Sequence, residues 1–406
     1  MSTHPPHSTG MSPSERRATV SLAAIFALRM LGLFMIMPVF SVYAKTVPGG
    51  DNALLVGLAI GIYGLSQSAL YIPYGWASDI FGRKPVIVFG LILFALGSLI
   101  AACAHDITWI IVGRAVQGAG AISSAVTAFI ADLTSEANRT KAMAMVGGSI
   151  GISFAVAIIA APIVFKWIGM SGLFAAVGVL AVVAIGVVIW IVPHPPAAPV
   201  HVKAPFSEVL HNGELLRLNF GVYALHATQT ALFVVLPQIL VAQGLPLSAS
   251  WRMYLPVMGV AFCLMVPAII IAEKRGKMKS VLLAAIVAVL IGQLCLAVFP
   301  HTLTWLAVSL LVYFTGFNVL EATQPSLVSK LSPGARKGAA MGVYNTTQAL
   351  GLFSGGALGG LVLKYTSQEG VFLACSALVL LWLIIAATMK QPPRPAHARP
   401  GSAHAA

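Results

Sequence analysis

Charge is what this sequence has least of. Only 9% of its 406 residues are charged, and just 11 are Asp or Glu. A water-soluble chain carries about 25% charged residues, so a soluble globular protein is excluded. Cysteine is also scarce: Cys103, Cys263, Cys295 and Cys375 all sit in apolar runs, with no CxxC or Cys/His spacing. That pattern argues against thiol redox work or a zinc site and for small core residues. The ten histidines are scattered and form no HExxH pattern, so no metal centre is expected. A phosphate-binding Gly-x4-Gly-Lys-Ser/Thr loop is missing, so ATP is not the implied energy source. The short aqueous loops hold no nucleophile–base set and no paired carboxylates, which makes an enzyme the least supported class. The first 18 residues lack the apolar core of a cleaved signal peptide. Arg16-Arg17 fits a basic flank better than a twin-arginine export signal.

What the sequence has instead is hydrophobic runs. Fully 58% of the residues are hydrophobic, and successive runs reach the roughly 20 residues that cross a bilayer as a helix. Backbone in lipid must be helical or a closed barrel. The runs lack the alternation of barrel strands, so an all-α membrane protein is expected. Twelve spans are predicted at 19–44, 53–78, 85–104, 107–132, 140–165, 168–193, 214–242, 248–273, 279–299, 302–330, 337–363 and 367–389. Residues 194–213 are Pro-rich and polar, which suits an extended linker. They divide the chain into a six-helix bundle over 19–193 and another over 214–389. Residues 1–18 and 390–406 read as tails, the latter disordered. The net charge of +13 could suggest nucleic acid, but its distribution argues otherwise. With the N-terminus inside, cytoplasmic segments hold 18 of the 24 Lys and Arg residues, outer loops hold Lys45, Lys166, Arg252 and Lys364, and Arg29 and Arg114 lie within spans. This positive-inside asymmetry predicts both termini in the cytoplasm and a lipid bilayer, not nucleic acid, as the partner.

The two halves match. Pro73, Asp79, Gly82 and Arg83 reappear 194 positions later as Pro267, Glu273, Gly276 and Lys277. Leu33-Phe-Met-Ile-Met-Pro38 is matched by Leu232-Phe-Val-Val-Leu-Pro237, and His105-Asp-Ile-Thr-Trp109 by His301-Thr-Leu-Thr-Trp305. Parallel repeats create an interface near mid-bilayer, where transporters place their substrate site.

Gly75-x3-Asp79-x2-Gly82-Arg83-Lys84 and Arg114-x2-Gln117-Gly118-x-Gly120 carry a resemblance to the major facilitator superfamily over essentially the whole chain. Arg29-Met-Leu-Gly32 and Asn318-x2-Glu321-Ala-x2-Pro325-Ser326 resemble the YajR-like part of its twelve-span drug/proton antiporter branch. The resemblance implies two pseudo-symmetric bundles of six helices, a bacterial inner membrane, a monomer, a small-molecule substrate and a proton gradient in place of any cofactor. The antiporter glycine signature of span 5 is half gone: Gly148, Ala157, Ala161-Pro162 and Phe165-Lys166 stand in its place. Span 11 holds a fuller frame in Gly342, Gly351, Gly355-Gly356 and Gly359-Gly360. Some relatives carry a soluble C-terminal domain, and none is expected here.

Asp79, Gly82, Arg83, Lys84 and Asp132, with Gly75 allowing close helix approach, are expected to latch the two bundles on the cytoplasmic side. A solvated ion pair worth about 0–1 kcal/mol is the alternative. Glu321 is the acid placed deep within a span, where a charge costs roughly 2.5–3.5 kcal/mol. It is the first candidate for proton coupling; a structural acid paired to Asn318, Asn345 or backbone is the alternative. His226 could relay a proton or be a buried neutral imidazole. Arg29 and Arg114 should face a cavity or a partner, Arg29 meeting an anionic substrate or Glu321. Gln67, Gln229, Gln324, Asn345 and Gln348 could line the cavity or join helices. Gly118, Gly351, Gly355 and Gly359 are expected to allow tight helix packing. These readings lead to proton-coupled efflux of a drug-like or metabolite solute. The alternatives are a uniporter, a proton-coupled importer or a non-transporting membrane sensor.

Overall fold

The computed structural model describes residues 11–193, 209–299, 302–332 and 337–390. Residues 1–10 of the expected N-terminal tail, 194–208 of the expected linker and 391–406 of the expected C-terminal tail lie outside the described residues. Among the described residues there is no strand. Span 1 is Pro13–Phe34 continued by Met37–Tyr43, and span 2 is Ala53–Ile80. Span 3 is Arg83–Ala102, and span 4 is split into Ile107–Ala119 and Ser123–Leu133. Span 7 is Gly213–Ala242, span 8 Trp251–Lys274 and span 9 Met278–Val298. Spans 10, 11 and 12 are Leu303–Leu331, Lys337–Tyr365 and Gln368–Ala387.

Eleven helical stretches are long and apolar enough to cross a membrane, and one of them counts twice. Glu136–Gly186 has 51 residues, which at 1.5 Å per residue is about 76 Å, more than twice a hydrocarbon core of about 30 Å. Gly169 breaks it with φ 66° and ψ −172°, backbone that glycine reaches without a Cβ clash. Span 5 therefore ends at this glycine and span 6 begins after it, running on through Val187–Ile191. Twelve crossings place both described ends on one side, called here the tail face; the other is the far face.

Short polar side chains start the helices where the pattern predicts. Asn52 accepts the Leu54 amide at 3.1 Å, Asp106 accepts that of Trp109 at 2.9 Å, and Asn212 accepts those of Glu214 and Leu215. Each satisfies a donor that lipid could not. Ser12 and Glu15 form a reciprocal box at the foot of span 1. The duplicated loop is also a duplicated turn: Gly82 and Gly276 both take positive φ, at 90° and 64°. The first copy's acid pairs with Arg83. The second copy's acid, Glu273, pairs instead with Lys330 at 2.6 Å and accepts from Ser326 at 3.1 Å.

The two halves meet most extensively along spans 2 and 11, and there only part of the way. In the far-face half the backbones touch. A Cβ on Gly57 would lie 2.1 Å from the Gly356 carbonyl oxygen, one on Gly64 2.3 Å from that of Ala349, and one on Gly360 2.4 Å from that of Ala53. In the tail-face half the helices diverge. A Cβ on Gly338 or Gly342 of span 11 would meet nothing within 4 Å, and one on Gly75 of span 2 would meet only Ser124 of its own half, at 3.8 Å. At mid-depth Phe154 of span 5 contacts Phe34 of its own half and Phe233, Phe314 and Phe317 of the other, with ring centroids 5.1 to 6.2 Å apart. The molecule is closed at the far face and splayed at the tail face.

Candidate functional site

Three groups of polar residues interrupt this apolar body. The first lies at the tail face. Span 2 ends on Asp79, Gly82 turns the chain, and Arg83 opens span 3. The Arg83 guanidinium donates from Nη1 to Asp79 Oδ1 and to Ser78 Oγ, both at 2.6 Å, and from Nε to Asp132 Oδ2 at 2.7 Å. Arg83 is buried, while the Asp79 side chain stays 42% exposed. One arginine thus ties the ends of spans 2, 3 and 4 together. Lys84 turns elsewhere, donating to the Val192 carbonyl at 2.6 Å, where the end of span 6 presents unpaired carbonyls. All these partners belong to the first half.

The second group lies inside the second half, where three helices bring Glu321, His226 and Gln348 together. His226 Nδ1 is 3.1 Å from the Val222 carbonyl oxygen. A carbonyl only accepts, so Nδ1 carries the hydrogen. The neutral ring then presents a lone pair at Nε2, and the Gln348 amide nitrogen lies 2.7 Å from it. Glu321 Oε1 sits 3.2 Å from the same Nε2 and makes no hydrogen bond of its own. An ionised oxygen facing a lone pair is repelled; a proton between them makes the contact attractive. His226 is 1% exposed and Glu321 17%, so the carboxyl is the member that solvent reaches. Asn318, one turn before Glu321, has a buried amide nitrogen without a partner, and Gln229 and Gln324 are buried with neither end paired.

The third group is in the first half. Arg114 is fully satisfied in kind: it donates to Gln117 and to the carbonyls of Ala59 and Ile60 at 3.3 and 3.4 Å. Its guanidinium lies 4.9 Å from the Tyr63 ring centroid, within the range of a cation–π contact. Arg29 lies over the same ring at 5.7 Å and donates from Nη1 to Ser123 Oγ. Gln67 donates to Tyr71 Oη at 2.9 Å.

The glycines named from sequence stand at helix crossings. A Cβ on Gly118 would meet the Tyr63 carbonyl oxygen at 2.3 Å. Gly351, Gly355 and Gly359 face Tyr223, Ala227 and Ala231 of span 7 in matching four-residue steps, with nearest atoms at 2.5, 2.1 and 3.0 Å. Sequence reasoning missed their counterparts Gly57, Gly61 and Gly64 in span 2, although that spacing was visible. It also missed Lys330 as the partner of Glu273.

The Major Facilitator Superfamily model matches residues 22–356 and 279–406. The inner membrane transport protein YajR of Escherichia coli strain K12 is 46% identical over 388 residues, covering 94% of this chain and 85% of its own. The multidrug resistance protein MdtH of Aeromonas salmonicida is 27% identical, covering 86% of this chain and 88% of its own. A solved bacterial homologue of the human lysosomal transporter Spinster superposes with a TM-score of 0.72 at 16% identity, over 93% of this chain and 96% of that one. The chain belongs to the Major Facilitator Superfamily and is a membrane transporter, not an enzyme.

Proposed function

We propose that this chain is a proton-coupled secondary transporter that exports a small solute across the bacterial inner membrane by alternating access. The meeting of Glu321 and Gln348 at the same nitrogen of His226 carries the reading. It joins one helix of the moving interface, span 11, to spans 7 and 10 through one imidazole nitrogen. That nitrogen has a single lone pair, so a proton shared with Glu321 competes with the Gln348 amide. Release of the proton would leave the lone pair to Gln348, repel the ionised Glu321 and change how span 10 sits against spans 7 and 11. One charge crossing 100 mV supplies about 2.3 kcal/mol, enough to concentrate a solute roughly fifty-fold.

Basic residues crowd the tail face, so that face is assigned to the cytoplasm, and the conformation described is open inward. In the opposite state the tail-face ends of spans 2 and 11 would approach. The half-exposed Asp79 would then meet the positive start of span 11, while Arg83 and Asp132 hold it in place. Export, and a drug-like solute, rest on the likeness to MdtH, a multidrug resistance protein. Uniport is the second reading, favoured by Ala157 and Ala161, which are fully buried where antiporters carry glycine.

A solute screen in cells lacking the gene, followed by flux in proteoliposomes, tests the proposal. Glu321→Gln should lose uptake driven by a pH gradient and keep solute counterflow, which needs no net proton movement. Gradient-driven flux at the wild-type rate in this variant would remove Glu321 from the mechanism.

A further inference from the structure

Arg29 is the one buried cation among the described residues whose hydrogen-bonding is visibly incomplete. It sits at the middle of span 1 with no exposure to solvent. Its Nη1 is occupied by Ser123, while Nε and Nη2 make no hydrogen bond. Those two atoms form the side-on edge of a guanidinium, the pair of parallel donors that matches a carboxylate or phosphonate. Ser123 is itself the first residue of a buried half-helix. Span 4 stops at Ala119, takes a non-helical step at Gly120, and restarts as Ser123–Leu133 with no side-chain cap. The restart leaves first-turn amides without helical partners at mid-depth, beside the arginine. Broken spans in transporters place such positive ends against anionic substrate groups. The surroundings add donors: the Tyr63 and Tyr74 hydroxyls are buried and unpaired. No carboxylate of the first half can answer this charge from within a span. Glu15, Asp51, Asp79, Asp106, Asp132 and Glu136 all lie at helix ends or in loops. Arg114, by contrast, spends its donors on backbone.

We infer that Arg29 and the start of the second half of span 4 form a binding site for a single anionic group on the transported solute, a carboxylate or its phosphonate or sulfonate equivalent. This rests on the transport reading and deepens it by naming the substrate class. The anion would bind side-on to Nε and Nη2, with the Ser123 end of the half-helix behind it.

The test is a thermal shift on the full purified chain in detergent, kept chloride-free, with benzoate, phenylphosphonate and benzenesulfonate as probes. Benzamide and benzylamine are the neutral and cationic controls. At least one anion should raise the melting temperature saturably while both controls leave it unchanged. Arg29→Gln should weaken that binding at least tenfold. Arg29→Lys, which keeps the charge without the fork, should fall between. Should the variants fail to fold, the wild-type contrast of anions with benzamide decides alone. No shift with any of the three anions, or an unweakened shift in Arg29→Gln, overturns the inference. An equal shift with chloride also overturns it, since an inorganic counterion would then fill the fork. Glu321→Gln should keep the benzoate shift, so loss of proton-driven flux in that variant leaves this site standing.

Discussion

Gly57→Ala is a one-methyl perturbation of the closed gate. The new Cβ would lie 2.1 Å from the Gly356 carbonyl oxygen and 3.0 Å from the Gly360 Cα. Both obstacles are backbone, so no side chain can rotate out of the way and the two helices must separate. Overpacking of this kind costs typically 1–3 kcal/mol. The cost falls on the state closed at the far face and not on the one open there, so the equilibrium should move about 5- to 150-fold toward the open state. Spin labels at Asp51 and Thr366, in the far-face loops before span 2 and after span 11, report that opening by pulsed electron resonance. Cys103 and Cys263, which are exposed, are first replaced. The long-distance population should grow in Gly57→Ala. Gly259→Ala, where a Cβ would meet nothing within 4 Å, should leave the distribution as in the parent. An unchanged distribution in Gly57→Ala would refute the assignment of this glycine contact as the gate.

Asp79→Asn should insert and fold normally yet abolish solute flux, because the other conformation would lose its charge contact to span 11; wild-type flux in proteoliposomes would defeat the latch. Gly82→Ala should lower the melting temperature, since its φ of 90° and ψ of 155° belong to a region that costs a residue with a Cβ about 1–3 kcal/mol; an unchanged melting curve would contradict this. Glu273→Gln should weaken the tie to Lys330 but, being an exposed pair at 42% and 34% side-chain exposure, change stability by no more than about 1 kcal/mol in a denaturation titration.

The sequence made depth legible and left contact hidden. Apolar run length placed twelve spans because lipid enforces it residue by residue, and the repeat around Gly82 and Gly276 was readable because both positions need the same unusual backbone. The four-residue frame of Gly351, Gly355 and Gly359 showed a packing face, since spacing alone sets helix faces. Its partner could not be read: which helix meets that face depends on how two bundles dock, and no local pattern encodes that register. The same limit applies to Glu321 and Gln348, which meet His226 from 95 and 122 positions further along the chain. The break in span 4 has no signal in the hydropathy, because Gly120-Ala-Ile122 is as apolar as its neighbours. Span 1 starts six residues before the predicted position 19: Pro13, Ser14, Glu15, Arg16 and Arg17 have the composition of a polar tail, yet Ser12 caps and Pro13 opens a helix.

Much of the contact between the halves is glycine backbone at the far face and phenylalanine rings around Phe154 at mid-depth. Neither kind of contact has a direction that must be restored after a small rotation. Two bodies joined by ion pairs would have to snap each bond to turn, with a separate barrier for every one. These can roll over one another as a lubricated bearing does, so turnover should be governed by the few polar catches at the rim and the proton site, with little friction from the hinge itself.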